Sequence, residues 1–238
     1  MRRSASPILK RPPAPVLFVA AVLGTLSVGG PAARADITEN IDLPNMALNG
    51  LPGPYATVDI SETSTTTATI TFTSLTTGPN TFLMAGAQAV DLNINVGSGS
   101  YSVTSVNPVG PSTGGFSPPS FTANTSGTNV DGFGSFNLVF DDVDGFMNAA
   151  NSVTIMITST TPIWTSDAAV LVNNADGYNA AIHAFACAAP CTVTAGTITT
   201  GYAAKIPEPA SLVLLSTGLA GLGLARRLRR RPKNLALC

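Results

Sequence analysis

Short runs in which apolar residues alternate with Thr, Ser or Asn recur along the middle of the chain. Clusters of Gly, Pro, Ser and Asn interrupt them, as in segments 107–115 and 124–129. A period of two residues is typical of a strand with one buried face, and frequent turn signals between such runs indicate an antiparallel all-β domain. The runs that we interpret as strands are Thr67–Ser74, Ala89–Gly97, Tyr101–Val106, Phe133–Phe140, Ser152–Thr158 and Cys191–Thr200.

We therefore expect a mainly β domain, with an antiparallel β-sandwich-like arrangement or a sheet that closes on itself. The Ala-rich segment 166–189 could hold one or two helical turns.

Residues 36–204 contain no Lys or Arg, although the chain has 12 basic residues in all. The same span holds every acidic residue of the chain except Glu208. A domain without cations cannot neutralise phosphates, and this excludes nucleic acid as a partner. An acidic body rich in Ser and Thr suits a soluble exported product, and it could also attract divalent cations.

The first 35 residues have the organisation of a secretory signal. Basic residues at positions 2, 3, 10 and 11 precede an apolar run over 16–23, and Ala33 and Ala35 follow. Small side chains at the third and first positions before a cut are typical of signal cleavage sites. We predict passage through the secretion translocon and cleavage after Ala35, which leaves Asp36 first. The alternative is an uncleaved N-terminal anchor.

Three Asp-Gly-aromatic triplets begin at Asp131, Asp144 and Asp176. Asp-Gly predicts a tight turn, because Gly accepts a positive φ and the Asp side chain bonds the nearby backbone.

A calcium site is the alternative interpretation of the acidic segment 141–145. When its Gly is aligned with the Gly of the helix-loop-helix calcium loop, Phe140 and Asn151 fall on positions that require acidic ligands, so that motif is excluded. A different acidic-loop calcium site remains a candidate, with a hairpin turn as the alternative. Its ligands would be Asp141, Asp142 and Asp144.

Cys187 and Cys191 are spaced to close a small loop. Disulfides persist in exported proteins, and we predict a structural bond between them, with free thiols as the alternative. Zinc would need two further ligands, and His183 alone supplies one.

The body shows no catalytic signature. His183 is the only His and lies in an apolar segment, where packing or hydrogen bonding is its expected role. A Gly-x-Ser-x-Gly string occurs at 110–114, but it lies within the Gly/Pro-rich breaker segment 107–115 and not between a predicted strand and a helix. Trp164 could be a platform for a sugar or an ordinary core aromatic. We expect a protein that is not an enzyme and needs no cofactor.

Segment 205–231 combines three features in a fixed order. Pro207, Glu208 and Pro209 form a triplet in which each Pro fixes φ and disfavours helix. An apolar span over 210–225 follows, about 24 Å long as a helix, which is short but usable for crossing a membrane. Basic residues then stop transfer and remain cytoplasmic with the tail 232–238. The stop-transfer residues are Arg226, Arg227, Arg229, Arg230 and Arg231.

This order of triplet, span and arginine cluster resembles the PEP-CTERM sorting signal of Gram-negative bacteria. The resemblance covers residues 206–231 and implies recognition by exosortase, an integral-membrane cysteine protease that cuts near Pro207–Pro209. It further implies export across the inner membrane, transient anchoring by the C-terminal helix, and a final place at the cell surface or outside the cell. Such substrates are associated with exopolysaccharide and biofilm matrix.

The sequence thus predicts four parts: a signal peptide (1–35), an exported Thr/Ser/Asn-rich β domain (36–204), a sorting signal (205–231) and a tail (232–238). The expected function is that of a structural, biofilm-associated surface or matrix protein. The alternatives are a carbohydrate- or calcium-binding surface module and, third, a secreted hydrolase that would use His183 or the Asp141–Asp144 cluster.

Overall fold

The structure is a computed structural model, and it describes residues 36–142, 145–194 and 198–205. Within these ranges the chain forms fourteen β-strands and two short 3-10 helices, Gly145–Asn148 and Asp167–Ala169. The strands are β1 Ile37–Pro44, β2 Ala56–Ser64, β3 Thr67–Ser74, β4 Thr76–Thr77, β5 Asn80–Met84, β6 Val90–Leu92, β7 Tyr101–Val109, β8 Phe121–Asn124, β9 Thr128–Val130, β10 Gly134–Phe136, β11 Leu138–Asp142, β12 Ser152–Ser159, β13 Ala180–Ala188 and β14 Thr199–Lys205.

Twelve of these strands form one antiparallel sheet. Its main path runs β7-β12-β3-β2-β1-β14-β13-β6-β11-β8, and β5 adds to β13 and carries β4. The two end strands, β7 and β8, approach one another, so the sheet nearly closes on itself. The prediction of a mainly β, antiparallel domain is confirmed, with the strands in a single curled sheet.

The alternation of the sequence explains the central strands. In β3 the residues Ala68, Ile70 and Phe72 are fully buried, while the intervening Thr residues are partly exposed. β3 pairs with β2 on one edge and with β12 on the other, and both neighbours repeat the same alternation. The main core lies on this inner face, because each strand turns its aliphatic residues to the same side.

A second apolar layer covers part of the outer face. The separate hairpin β9–β10 lies over β6, β11 and β13, and its Phe136 packs with Val139 and Ala181. Two of the predicted Asp-Gly turns bring their aromatic residues into this layer, and the rings of Phe133 and Tyr178 meet edge to face at 5.1 Å. The outer face is therefore not simply the polar side of the sheet.

Two strand assignments were wrong in detail, and the helical turn expected in segment 166–189 is present as a single 3-10 turn. Ala180–Ala188 forms a strand, and the helical content of segment 166–189, all of it described, is the single 3-10 turn Asp167–Ala169. β13 has neighbours on both edges and is buried on both faces over much of its length, and small Ala side chains fit there, so tertiary packing overrides their helix propensity. Cys191–Thr194 lies outside any strand, and Phe133–Phe140 is split between β10 and β11.

The predicted signal peptide (1–35), the predicted span (210–225) and the tail (232–238) lie outside the described residues. Among residues 36–142, 145–194 and 198–205, no helix has the length and apolar character needed to cross a membrane.

Candidate functional site

The described residues end at Lys205, the last residue of β14, and this strand lies inside the sheet between β1 and β13. Lys205 is the only Lys or Arg between residues 36 and 205. Its Nζ donates to Oε1 of Glu39 on β1, and the two side chains are only 12% and 19% exposed. Because water screens this pair less than a surface ion pair, it ties the last strand firmly to the first.

β2 accompanies β1 from Ile37 to Ile41. Among the described residues, the pairing of β1 with β14 begins at Ile41, which lies opposite Lys205.

A hydrogen bond shows which backbone groups of β1 face each edge. The N–H of Tyr55, just before β2, donates to the carbonyl of Ile41 at 2.8 Å, so the carbonyl of Ile41 points toward β2. Successive residues of a strand direct their N–H and C=O groups to opposite edges. Thr38 and Asn40 consequently direct theirs away from β2, to the side of β1 on which β14 lies.

The residues predicted to carry sorting and processing lie outside the described residues. They are Pro207, Glu208 and Pro209, the arginines 226, 227, 229, 230 and 231, and the cleavage-site residues Ala33 and Ala35. The triplet begins two positions after the last residue of β14.

A disulfide joins Cys187 and Cys191 at the end of β13, with their Cα atoms 5.5 Å apart. Cys187 is buried, and the cluster around it includes Leu83 and Phe146. The closed loop is short, so its entropic contribution is modest, roughly 2 kcal/mol on the chain-entropy relation. The bond fixes the chain as it leaves β13.

The acidic residues at the end of β11 do not converge in the described structure. Asp141 Oδ1 accepts a bond from the N–H of Gln88 at 2.8 Å, and Asp142 Oδ2 accepts one from the N–H of Gly86 at 3.3 Å. As consecutive strand residues, the two carboxylates point to opposite faces. Asp144 is not among the described residues, which contain no group of three His, Cys, Asp or Glu placed to hold a metal ion.

His183 is engaged by packing and by one hydrogen bond. Its Nδ1 lies 3.1 Å from the carbonyl oxygen of Ala87, so Nδ1–H donates, and its ring stacks on Tyr202 at 4.4 Å. Burial lowers the pKa of His183, and the bond to Ala87 partly opposes that shift. The imidazole is therefore neutral at pH 7.

Asp91 is a fully buried polar residue that the sequence pattern did not single out. Alternation placed it on the polar face of its strand, but the outer apolar layer covers that face. Asp91 is 0% exposed, and neither of its carboxyl oxygens has a hydrogen-bond partner among the described residues. Burial first, and the neighbouring Asp141 second, raise the pKa of Asp91 well above its ordinary value.

Tyr202 lies in the same acidic surroundings, and its pKa is also raised. Burial raises its pKa to about 12, and Asp91, Asp131 and Asp141 contribute further in that order. The sequence alone could not predict this cluster of Asp91, Asp131, Asp141 and Tyr202, because its members lie in four segments that are far apart in the chain.

Trp164 and one surface cleft bear on carbohydrate binding. Trp164 is fully buried and donates its indole N–H to the carbonyl of Asn95 at 3.0 Å, so it is a core residue and not a platform for sugars. A cleft of about 320 Å³ lies beside the disulfide. Hydroxyl side chains and Asn151 line part of it, and Asn151 Oδ1 has no partner among the described residues. The hydroxyl residues are Ser74, Thr76, Thr81 and Thr113.

Comparison with known proteins yields one match. Residues 205–231 match the family model described as the PEP-CTERM protein-sorting motif, and the match begins at the last residue of β14. No curated protein and no solved structure matches the chain. The match confirms the resemblance seen in the Pro-Glu-Pro triplet, the apolar span and the arginine cluster, and it indicates export and membrane-associated sorting with processing by exosortase. This chain carries a PEP-CTERM protein-sorting motif, which begins where its antiparallel β body ends.

Proposed function

We propose that the chain is an exported, non-enzymatic surface or extracellular-matrix protein of a Gram-negative bacterium. In this proposal, segment 1–35 directs export through the secretion translocon and is removed after Ala35. The span 210–225 then holds the precursor in the inner membrane, with the arginine cluster on the cytoplasmic side. Exosortase cuts near Pro207–Pro209, and the body reaches the cell surface or a biofilm matrix, where exopolysaccharide is a candidate partner.

The position of the motif relative to the fold carries this proposal. The match begins at Lys205, which is still part of the sheet and still paired with Glu39. A cut near the triplet would remove the apolar span and would leave the fourteen described strands and that ion pair in place. Cleavage near the triplet would therefore leave the described fold of the body intact, as is required of a sorting signal that is removed.

The surface of the body supports a structural role. Thr hydroxyls pair across neighbouring strands, as between Thr71 and Thr154 at 3.2 Å and between Thr104 and Thr158 at 3.0 Å. Rows of hydroxyl groups suit contact with a hydrated matrix and are acceptors for O-glycans. His183 is stacked on Tyr202 and bonded through Nδ1 to a backbone carbonyl, which agrees with a packing role.

Intact mass spectrometry of the protein from its native envelope and medium tests the processing. We expect a species that begins at Asp36 and ends between Pro207 and Pro209. Replacing both prolines, Pro207→Ala with Pro209→Ala, is expected to leave most of the protein as the species ending at Cys238, because the extended φ of the triplet is no longer fixed. The matched control Pro232→Ala also removes a proline near the span, but it lies beyond the arginine cluster and should be processed normally.

A wild-type product that still ends at Cys238 would contradict the processing step. Additional mass on a correctly cut product would instead indicate glycans or a coupled anchor on the body.

A second candidate function, binding of a neutral saccharide, is favoured by the cleft beside the disulfide. Its volume falls in the range of small-ligand sites, and its lining offers several hydroxyl groups and the side chain of Asn151. Saccharides are recognised by such convergent neutral donors and acceptors.

Retention on polysaccharide extracted from the producing organism tests this candidate. Asn151→Ala is expected to weaken retention by roughly tenfold, because a direct hydrogen bond is lost. Asn129→Ala, at an exposed position on the hairpin β9–β10, is the matched control and should bind like the wild type. Equal retention of all three proteins would exclude the cleft as the binding site.

A further inference from the structure

The hairpin β9–β10 is a separate element that lies on the outer face of the main sheet. It forms a two-stranded sheet of its own, and among the described residues no backbone–backbone hydrogen bond joins it to the twelve-stranded sheet. Side-chain amides of the body hold it instead. Gln88 Nε2 donates to the carbonyl of Asn129 at 2.9 Å, and Asn174 Nδ2 donates to the carbonyl of Phe133 at 2.8 Å. Because a lone hairpin is at best marginally stable in water, this one depends on what lies beneath it.

Asp91 lies in the row of residues that this hairpin covers. It is directly opposite Val139 on β11 and Ala181 on β13, so the three side chains are on the same face of the sheet. Val139 and Ala181 belong to the apolar layer that also contains Phe136 of the hairpin. A carboxyl group is therefore enclosed in an apolar interface. It has no exposed area, and neither oxygen has a hydrogen-bond partner among the described residues.

We propose that the hairpin, residues 128–136, is a pH-sensitive flap that closes over neutral Asp91 and opens when Asp91 is ionised. Burial of an unpaired charge in an apolar environment costs far more than burial of the neutral acid. Opening of the flap lets water reach the carboxylate and removes that cost. The hairpin is the element that can move, because β6 beneath it is paired on both edges, with β11 and with β13.

The chain on either side of the flap is anchored to the main sheet. Asn124, before the flap, pairs with Val139. Asn137, after it, makes two side-chain hydrogen bonds with the backbone of Ile94, at 2.8 and 2.9 Å. Gly127 lies between the first anchor and the flap and has a φ of 81°, a region where glycine is free of steric cost. Opening can therefore be confined to the residues between these two anchors.

The titratable groups around Asp91 supply no cation near neutral pH. They are Asp141 on β11, Asp131 in the turn of the hairpin, Asp176 and Tyr178 in the segment before β13, His183 on β13 and Tyr202 on β14. His183 is the only base in this set, and burial lowers its pKa, so it is neutral at pH 7. Tyr202 has a pKa of about 12 and is also neutral. An ionised Asp91 thus meets other acids and no compensating charge from these groups.

The pH range follows from the direction of the pKa shift. Burial first, and Asp141 second, raise the pKa of Asp91 in the closed state, whereas water in the open state returns it toward its ordinary value of 3.8. The closed flap is therefore most stable near pH 4 and loses stability as the pH rises toward the closed-state pKa. Each unit of difference between the two pKa values corresponds to about a tenfold change in the ratio of open to closed molecules.

Hydrogen exchange of the full chain in detergent micelles, followed by mass spectrometry, tests the flap. The wild type and Asp91→Asn are compared at pH 4 and at pH 8, because two proteins at the same pH share the same intrinsic exchange rate. At pH 8 we expect the amides of 128–136 to exchange at least about tenfold faster in the wild type than in Asp91→Asn. Near pH 4 the two proteins should exchange alike. In the wild type at pH 8, the amides of β3 should remain at least about tenfold slower than those of the flap, because the opening is local.

Asp176→Asn is the matched control, since it removes an exposed carboxylate beside the hairpin and leaves Asp91 in place. It should exchange like the wild type at both pH values. Equal exchange of the flap in the wild type and Asp91→Asn at pH 8 would overturn the proposal. So would flap amides that exchange only as fast as those of β3, because the hairpin would then open only with the whole fold. Slower exchange in the wild type than in Asp91→Asn would also overturn it, since ionised Asp91 would then hold the flap closed through a cation or a donor.

Discussion

Replacing Asp91 by Asn is expected to raise the free energy of unfolding at pH 7 by about 2 kcal/mol. The carboxyl group is 0% exposed, and neither oxygen has a hydrogen-bond partner among the described residues. An unpaired buried group keeps its full desolvation penalty, which is larger for a charge than for a neutral amide of the same shape. The amide introduced by Asp91→Asn would avoid the penalty of ionisation while filling the same space.

The pH dependence has a definite sign. Burial, and then Asp141, raise the pKa of Asp91 in the folded state above its ordinary value of 3.8. The folded state therefore binds this proton more tightly than the unfolded state, and stability falls as the pH rises from about 4 toward the folded-state pKa. Of the neighbouring groups, Tyr202, with a pKa of about 12, stays neutral over this range, and burial favours neutral His183.

Urea unfolding of the full chain in detergent micelles, from pH 4 to pH 8, measures this effect. We expect the wild type and Asp91→Asn to have similar stability near pH 4 and to diverge as the pH rises. Asp176→Asn, which removes one exposed carboxylate, is the charge-matched control and should follow the wild type. A loss of stability in Asp91→Asn at pH 7 would show that the carboxylate meets a cation or a donor in solution.

The strands that the sequence predicted best are those with one buried face. β3 has the predicted bounds Thr67–Ser74, and β12 covers Ser152–Ser159, one residue beyond the prediction. Their inner residues contact the main core and their outer residues contact water, so a period of two in hydrophobicity corresponds directly to the structure.

Strands covered on both faces could not be predicted in this way. β13 contains five Ala residues and suggests helix by propensity, but it becomes a strand because it pairs with β14 on one edge and with β5 and β6 on the other. Asp91 alternates with Val90 and Leu92 and looks solvated, yet the hairpin β9–β10 covers it. That covering element comes from a remote part of the chain, and no local pattern reports it.

The candidate site also has one part that the sequence predicted and another part that it could not predict. The triplet, span and arginine cluster are contiguous, so their order alone predicted the sorting motif. The partner of Lys205 could not be read from the sequence, because Glu39 is 166 positions away. The pairing of β1 with β14 likewise depends on a register that no local pattern reports. The sequence alone therefore predicted the sorting motif, and the structure adds the ion pair at the first residue of that motif.

Gly201, in the middle of β14, gives the largest stability effect that we predict. A Cβ atom there would lie 2.8 Å from each of Ala47 Cβ, Asn45 Oδ1 and Leu48 Cγ, so the loop after β1 packs directly on the bare backbone of this glycine. Leu48 is fully buried, and the amide of Asn45 accepts bonds from the N–H groups of Ala47 and Tyr202. We expect Gly201→Ala to cost about 2 kcal/mol and Gly201→Val about 3 kcal/mol or more, because a packed loop has to move.

Urea midpoints of the full chain in micelles, with the slope checked for two-state behaviour, measure this effect. Thr200→Val, at the exposed neighbouring position of the same strand, is the control and should stay within about 0.5 kcal/mol of the wild type. Equal midpoints for Gly201→Val and Thr200→Val would show that the loop does not rest on β14. Because β14 leads directly into the sorting motif, a body weakened at Gly201 should also loosen the pairing of Lys205 with Glu39. The yield of intact exported body should then fall even though every residue of the motif is unchanged.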